Sequence, residues 1–267
     1  MTLASTDTLA LCRDGGWLHV MLNRPDKRNA MSLAMVNDLL HVFETIQDDR
    51  SVRAVILRGA EGHFCSGGDI ADMQQAAADS TGEHDAIAAL NRRFGALLTQ
   101  VDGAGAAVVA VCEGAVMGGG FGLACVADIT LAVEGARFRL PETSLGITPA
   151  QIAPFIVQRL GLSQARRLAV TGATLDVAEA LRLGLAHVHV AADGADEAVS
   201  TVLGQIRRCE PGAVAATKSI MRTVGSAPLE EILDSAAVDF AQRARSDAAQ
   251  TGMLARLTRT PAPWAMS

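Results

Sequence analysis

WLHVMLNRPDKRNAMSLAMVNDLLHVFETIQDDRSVRAVILR occupies residues 17–58. Its two ends, Trp17 to Asn23 and Ala54 to Arg58, are short and mainly apolar. Such runs read as strands buried on both faces. Between them lies MSLAMVNDLLHVFETI, Met31 to Ile46, where Leu33, Val36, Leu39, Leu40 and Phe43 recur at helical spacing. Ser32 stands where a capping hydroxyl belongs. Strand, helix, strand in that order predicts an α/β fold with parallel pairing.

The pattern continues outward. Ala106 to Cys112 (AAVVAVC) and Ile129 to Val133 (ITLAV) read as further buried strands. Ala71 to Asp85 (ADMQQAAADSTGEHD) reads as the most mobile loop. The second half is mostly helical. Thr148-Pro149-Ala150-Gln151 predicts a helix start, with an N-cap, a Pro at the first position and a capping-box Gln. That helix is expected to end near Gly161, and one opened by Ser163 to stop at Gly172. Asp176 with Glu179 opens another, closed at Gly184. From about Ala195 onward three or four amphipathic helices follow.

The whole chain of 267 residues is 49% hydrophobic, enough for one large core. Its net charge of −6 and 3% aromatic content, with no Tyr, argue against a nucleic-acid surface. Cys12, Cys65, Cys112, Cys125 and Cys209 are odd in number and lack metal-site spacing, which suggests reduced thiols in a cytoplasm. The histidines form no H-x₃-H pair, and His187 and His189 alternate along an expected strand. The N-terminus lacks a basic segment followed by a long apolar one. No apolar run reaches the roughly 18 residues of a membrane span.

Two glycine-rich stretches share one logic. In HFCSGGDIADM, His63 to Met73, a Gly pair precedes a helix opened by Asp69. In GAVMGGGFGLACVAD, Gly114 to Asp128, Gly118 to Gly120 precede an apolar helical run. Glycine permits sharp turns and close approach of backbone to ligand. Free N–H groups at a helix start carry partial positive charge, so two facing sites would hold a developing oxyanion. The structural alternative is a tight turn or a close helix contact at each run. A dinucleotide fingerprint fails because position 123 is Leu, and no Walker Lys follows. Cys65 and Ser66 lack a G-x-S-x-G frame, and Cys65 reads as a small core residue. Glu142, in RLPETSLGITPAQ, is the remaining acidic candidate, either a solvated loop carboxylate or an acid/base.

Together these stretches resemble the enoyl-CoA hydratase/isomerase (crotonase) family over most of the chain. NRPDKRNAM, Asn23 to Met31, is similar to its coenzyme A segment. HFCSGGDIADM and GAVMGGGFGLACVADI resemble its two oxyanion segments, and FRLPETSLGITP the segment with a catalytic glutamate. The resemblance implies a spiral of ββα units over residues 1–200 that binds acyl-CoA. A C-terminal helical region, 201–267, would build a homotrimer or a dimer of trimers. It implies that the Gly68 and Gly119 amides hold the thioester carbonyl and that Glu142 is catalytic. Coenzyme A would lie along Lys27, Arg28 and Ala30 and near Asp69 and Ile70, with Phe240 and Arg259 contributing, the last two from a neighbouring subunit. Coenzyme A is part of the substrate, so no separate cofactor, metal, nucleic acid or membrane is implied.

The chain departs from the family at one position. Hydratases of the family carry a second glutamate, and the matching residue here is Gly122. Three readings follow. A hydratase would use another polar group, or the substrate, to position water. The GGG-x-GL and PAQIAPF stretches resemble the methylglutaconyl- and isohexenylglutaconyl-CoA hydratase branch and favour this reading. A Δ3,Δ2-enoyl-CoA isomerase would work with Glu142 alone. A binding protein would hold acyl-CoA without turnover. Gln151 either caps its helix or faces the acyl pocket.

Overall fold

The computed structural model describes residues 3–81 and 85–266. Among these, nine strands are present: β1 (Leu9–Asp14), β2 (Trp17–Leu22), β3 (Ala54–Gly59), β4 (Ala107–Cys112), β5 (Ala115–Met117), β6 (Ile129–Val133), β7 (Arg137–Arg139), β8 (Thr174–Leu175) and β9 (Val188–Val190). Six form one sheet in the order β1-β2-β3-β4-β6-β9. β1 and β2 are an antiparallel hairpin, turned at Gly15 with φ +56°, and every later pair in that sheet is parallel. β5, β7 and β8 form a second, three-stranded sheet.

The helices are α1 (Leu33–Ile46), α2 (Ile70–Asp79), α3 (Ala86–Asp102), α4 (Gly119–Val126), α5 (Ala153–Thr171), α6 (Val177–Arg182), α7 (Ala195–Ile206), α8 (Pro211–Thr223), α9 (Leu229–Ala244), α10 (Asp247–Thr258) and α11 (Pro263–Met266). α1 is the crossover expected between β2 and β3, and the Ser32 hydroxyl accepts the Met35 N–H at 3.2 Å. Alternate residues of the parallel strands feed two cores. Val55, Leu57, Val108 and Ala110 join Leu39, Phe43, Leu97 and Phe121 on one face. Ala54, Ile56, Val109 and Val111 join Val199, Val202 and Ile206 of α7 on the other. Both faces are covered, which is why β3 and β4 are apolar without a polar alternation. The expected division at residue 200 falls inside α7, whose buried face belongs to the second core.

Two expectations are corrected. Ala71 to Asp85 is not a loop throughout. Ile70–Asp79 is helical, because the Asp69 carboxylate caps the Ala71 N–H and four alanines favour the helix. Residues 82–84 lie outside the described residues. Nor do Thr148 to Gln151 cap α5. The Pro149 carbonyl accepts the Ile152 and Ala153 N–H groups at 3.0 and 2.8 Å. α5 then begins at Ala153, with Pro154 in its first turn and no side-chain cap. The break expected at Gly161 is there, as a glycine at φ +73° and ψ 157° inside α5. Gly172 and Asp176 also act as read, the first as a left-handed C-cap, the second by accepting the Glu179 N–H.

The C-terminal helices α8 to α11 are tied to the sheet through Arg53. Its guanidinium donates to the carbonyls of Trp264 (2.6 Å), Arg207 (2.8 Å) and Cys209 (2.9 Å) and lies 5.6 Å from the Trp17 ring centre. Among the described residues, no helix is long and apolar enough to cross a membrane.

Candidate active site

The site begins with Asn29. This buried residue sits at φ +57°, a backbone state Asn tolerates better than most residues. Its amide donates to the Ala60 and His63 carbonyls at 2.9 and 2.6 Å, and its oxygen accepts the Arg24 N–H at 2.9 Å. Arg24 in turn donates to the Ala30 carbonyl (2.6 Å) and to Asp69 (2.8 Å). The segment 28–31 is thereby held beside 66–69. Ser66 N–H donates to Arg28 O, Met31 N–H to Gly67 O, and Asp69 N–H to Met31 O, at 2.8–3.0 Å. In a ladder, alternate N–H groups point to opposite sides. The Gly68 N–H therefore turns away from Met31, and it meets no acceptor among the described residues.

The second glycine turn is stitched to the first. Cys65 N–H donates to Ala115 O and Met117 N–H to Cys65 O, both at 2.9 Å. Gly118 takes φ +49°, ψ −111°, and its N–H donates to Arg139 O at 3.0 Å. Gly119 then opens α4, so its N–H is one of the unpaired first-turn donors, and it too has no acceptor among the described residues. The close approach forces the residue type. A Cβ on Gly120 would stand 2.7 Å from Cys65 Cβ. A Cβ on Gly118 would stand 3.4 Å from Gly67 Cα and 2.9 Å from Glu142 Oε1. Gly67, Gly118 and Glu142 therefore converge on one point.

Glu142 starts a short 3₁₀ turn after β7 and is 9% exposed. Its Oε2 is buried without a hydrogen-bond partner. Burial raises its pKa above the ordinary carboxylate value, against a smaller opposing pull from a backbone hydrogen bond. This is no solvated loop carboxylate. Cys65 is fully buried, and burial pushes its thiol up to about 11, which fits a core residue and not a nucleophile.

The walls are apolar. The Gly119 Cα faces Phe94 and Met31, and a Cβ on Gly122 would stand 3.3 Å from Leu98 and 3.4 Å from Ile152. The methyl of Met73 lies over Gly68, 2.5 Å from where a Cβ would be. Lys27 and Arg28 are exposed at the mouth of the ladder, and Ile70 is 57% exposed. Asp69 is already engaged. Burial works against its charge, yet the Arg24 hydrogen bond and the Ala71 N–H hold its pKa below the usual value. Phe240 lies on α9, 74% exposed, and Arg259 ends α10 in the left-handed region. Within the chain neither bonds to this cluster. Arg24, Asn29 and Phe94 were missed as individual site residues. Only Asn29, within a Pro- and Asn-containing turn, carried a local signal.

The enoyl-CoA hydratase/isomerase family model matches residues 13–266. The structure superposes on Pseudomonas aeruginosa AtuE with a TM-score of 0.94 at 52% identity, covering 97% of this chain and 99% of that one. It superposes equally, 0.94 at 45% identity, on an enoyl-CoA hydratase/isomerase from Marinobacter aquaeolei, over 97% and 100% of the two chains. By sequence it is 34% identical over 216 residues to the enoyl-CoA hydratase ACTT6 of Alternaria alternata, 80% of this chain and 70% of that one. With two unpaired glycine amides, a buried carboxyl beside them and this likeness along nearly its full length, the chain belongs to the enoyl-CoA hydratase/isomerase family.

Proposed function

We propose that the protein is an enoyl-CoA hydratase, a hydro-lyase that adds water across the 2,3 double bond of an acyl-CoA thioester. The convergence of Gly67, Gly118 and Glu142 on one point carries this reading, since it sets a buried carboxyl beside the two free amides. The Gly68 and Gly119 N–H groups hold the thioester oxygen and stabilise the charge that grows on it. Loss of one such donor typically costs about 10² to 10³ in rate. Glu142, whose carboxyl burial makes a weaker acid than usual, gives a proton to C2 from one oxygen while its other oxygen takes one from the water whose oxygen bonds C3. Water and Glu142 alone balance the step. Lys27 and Arg28, exposed and without a side-chain partner among the described residues, suit the phosphates of coenzyme A. Ala30, Asp69 and Ile70 line the same approach.

Glu142→Gln keeps the shape and removes the proton relay. The expected result is a loss of about 10² to 10⁴ in hydration with binding of coenzyme A esters retained, read by product mass after incubation with 2-enoyl-CoA esters. Unchanged turnover would remove Glu142 from the reaction. The bare Gly122 favours a second reading, Δ3,Δ2-isomerisation by Glu142 alone, for which 3-enoyl esters would change without gaining water.

The protein works as a homotrimer or dimer of trimers in a reducing cytoplasm. Large exposed apolar residues on α9 and α10, among them Leu229, Phe240 and Leu257, support the assembly, and five unpaired cysteines suit the compartment. In that assembly Phe240 and Arg259 reach a neighbouring subunit's coenzyme A. A monomer by sedimentation would end this part of the reading.

A further inference from the structure

A water that adds to C3 must be held as well as deprotonated, and Glu142 is one group. Phe94, Met31, Leu98 and Ile152 offer it no hydrogen bond. Water in such a place needs two to four polar partners, about three as a rule. One strip of α3 shows where another comes from. Phe94, Gly95 and Leu98 lie on one face of that helix, within about 6 Å along its axis. Phe94 abuts Gly119, and Leu98 abuts Gly122. Gly95, between them, is buried and bare.

The place a Cβ on Gly95 would take is filled by Gln151 Oε1, with Gln151 Cδ 2.7 Å from that point. The carboxamide thus meets the α3 backbone oxygen-first, on the strip that borders the oxyanion glycine. It has nothing else to do. α5 starts two residues later without a side-chain cap, the local N–H groups are taken by Pro149 O, and Gln151 has no hydrogen-bond partner among the described residues. It is also not sealed in, since neither of its polar atoms is buried and unsatisfied. Arg92 Nη1, 3.1 Å from the same point, belongs to an exposed side chain.

We propose that Gln151, laid on Gly95, holds the water that Glu142 activates, with its Oε1 accepting the O–H that is not transferred. This rests on the hydratase reading. The oxygen of that water bonds C3, one of its protons passes to Glu142, and the proton Glu142 carried passes to C2. Gln151 gains and loses nothing.

Two variants test it, Gln151→Leu and Gly95→Ala, the second displacing the carboxamide through a flexible side chain and adding a better helix former. Two rates are read with each. One is hydration of a 2-enoyl-CoA ester. The other is exchange of the C2 proton of a saturated acyl-CoA in D₂O, which needs the two amides and Glu142 but no added water. The expected result is a fall of about 100-fold in hydration kcat for both variants, KM within about threefold, and C2 exchange retained. Gln151→Glu should recover part of the rate and add an ionisation to the pH profile. Hydration unchanged in Gln151→Leu, or hydration and exchange falling together, overturns the role of Gln151. A wild-type protein that exchanges C2 protons but hydrates no 2-enoyl ester overturns the hydratase reading itself.

Discussion

Glu142 shows how one residue sets reactivity against stability. Its carboxyl is buried, and one oxygen lacks a partner, so the folded chain holds its proton to higher pH than the unfolded chain does. The sign follows from linkage. With the folded pKa raised, the stabilising contribution is full below the unfolded value near 4.5 and is lost as pH rises through the folded value. Glu142→Gln should therefore match the wild type in Tm at pH 4 and exceed it at pH 8, by thermal unfolding followed with circular dichroism. An equal Tm difference at both pH values would refute the burial account. At this scale the sequence was only partly legible. Glu142 stood out through its motif, but its burial and missing partner come from the way β7 and the Gly118 turn close over it, which no local pattern encodes. Arg24 had even less signal, because its partners Ala30 and Asp69 are brought to it by the fold.

At the scale of elements, caps and glycines were the most readable features, because their physics is local. Ser32, Asp176, Gly161 and Gly172 act where the chain pattern places them. The Thr148–Gln151 signal misled because a backbone carbonyl, that of Pro149, took the donors a side chain was expected to take. The Ala71–Asp85 stretch misled because its polar content outweighed its alanines. Gly161 supplies a test. Its φ of +73° with ψ of 157° is open essentially to glycine alone, and nothing fills the space where a Cβ would go. Gly161→Ala should thus cost about 1–3 kcal/mol through backbone strain with no clash. Urea unfolding would show it as a lower midpoint at an unchanged slope.

Across the whole molecule, the unbroken apolar runs of β3 and β4 announced the parallel sheet, whereas the seam between sheet and C-terminal helices was invisible beforehand. Arg53 makes that seam, reaching carbonyls more than 150 residues away in sequence. Arg53→Met keeps the bulk and strands those carbonyls. About 2–3 kcal/mol should be lost, and limited proteolysis should release the C-terminal helices earlier than in the wild type. Identical proteolysis would mean that packing and the Lys218–Asp128 and Arg222–Asp102 ion pairs of α8 hold them without Arg53.

The two amides proposed to hold the carbonyl, those of Gly68 and Gly119, are main-chain groups, fixed by hydrogen bonds between backbone segments that follow β3 and β5. Substitution does not remove such an N–H, since every amino acid but proline brings one; it acts on them only through the close approach that demands glycine at Gly118 and Gly120. The groups packed around those amides, Phe94 and Met31 beside Gly119 and Met73 over Gly68, are side chains, which substitution changes directly. A lineage can therefore explore new thioesters by drift in those walls while the means of polarising a thioester is passed on untouched.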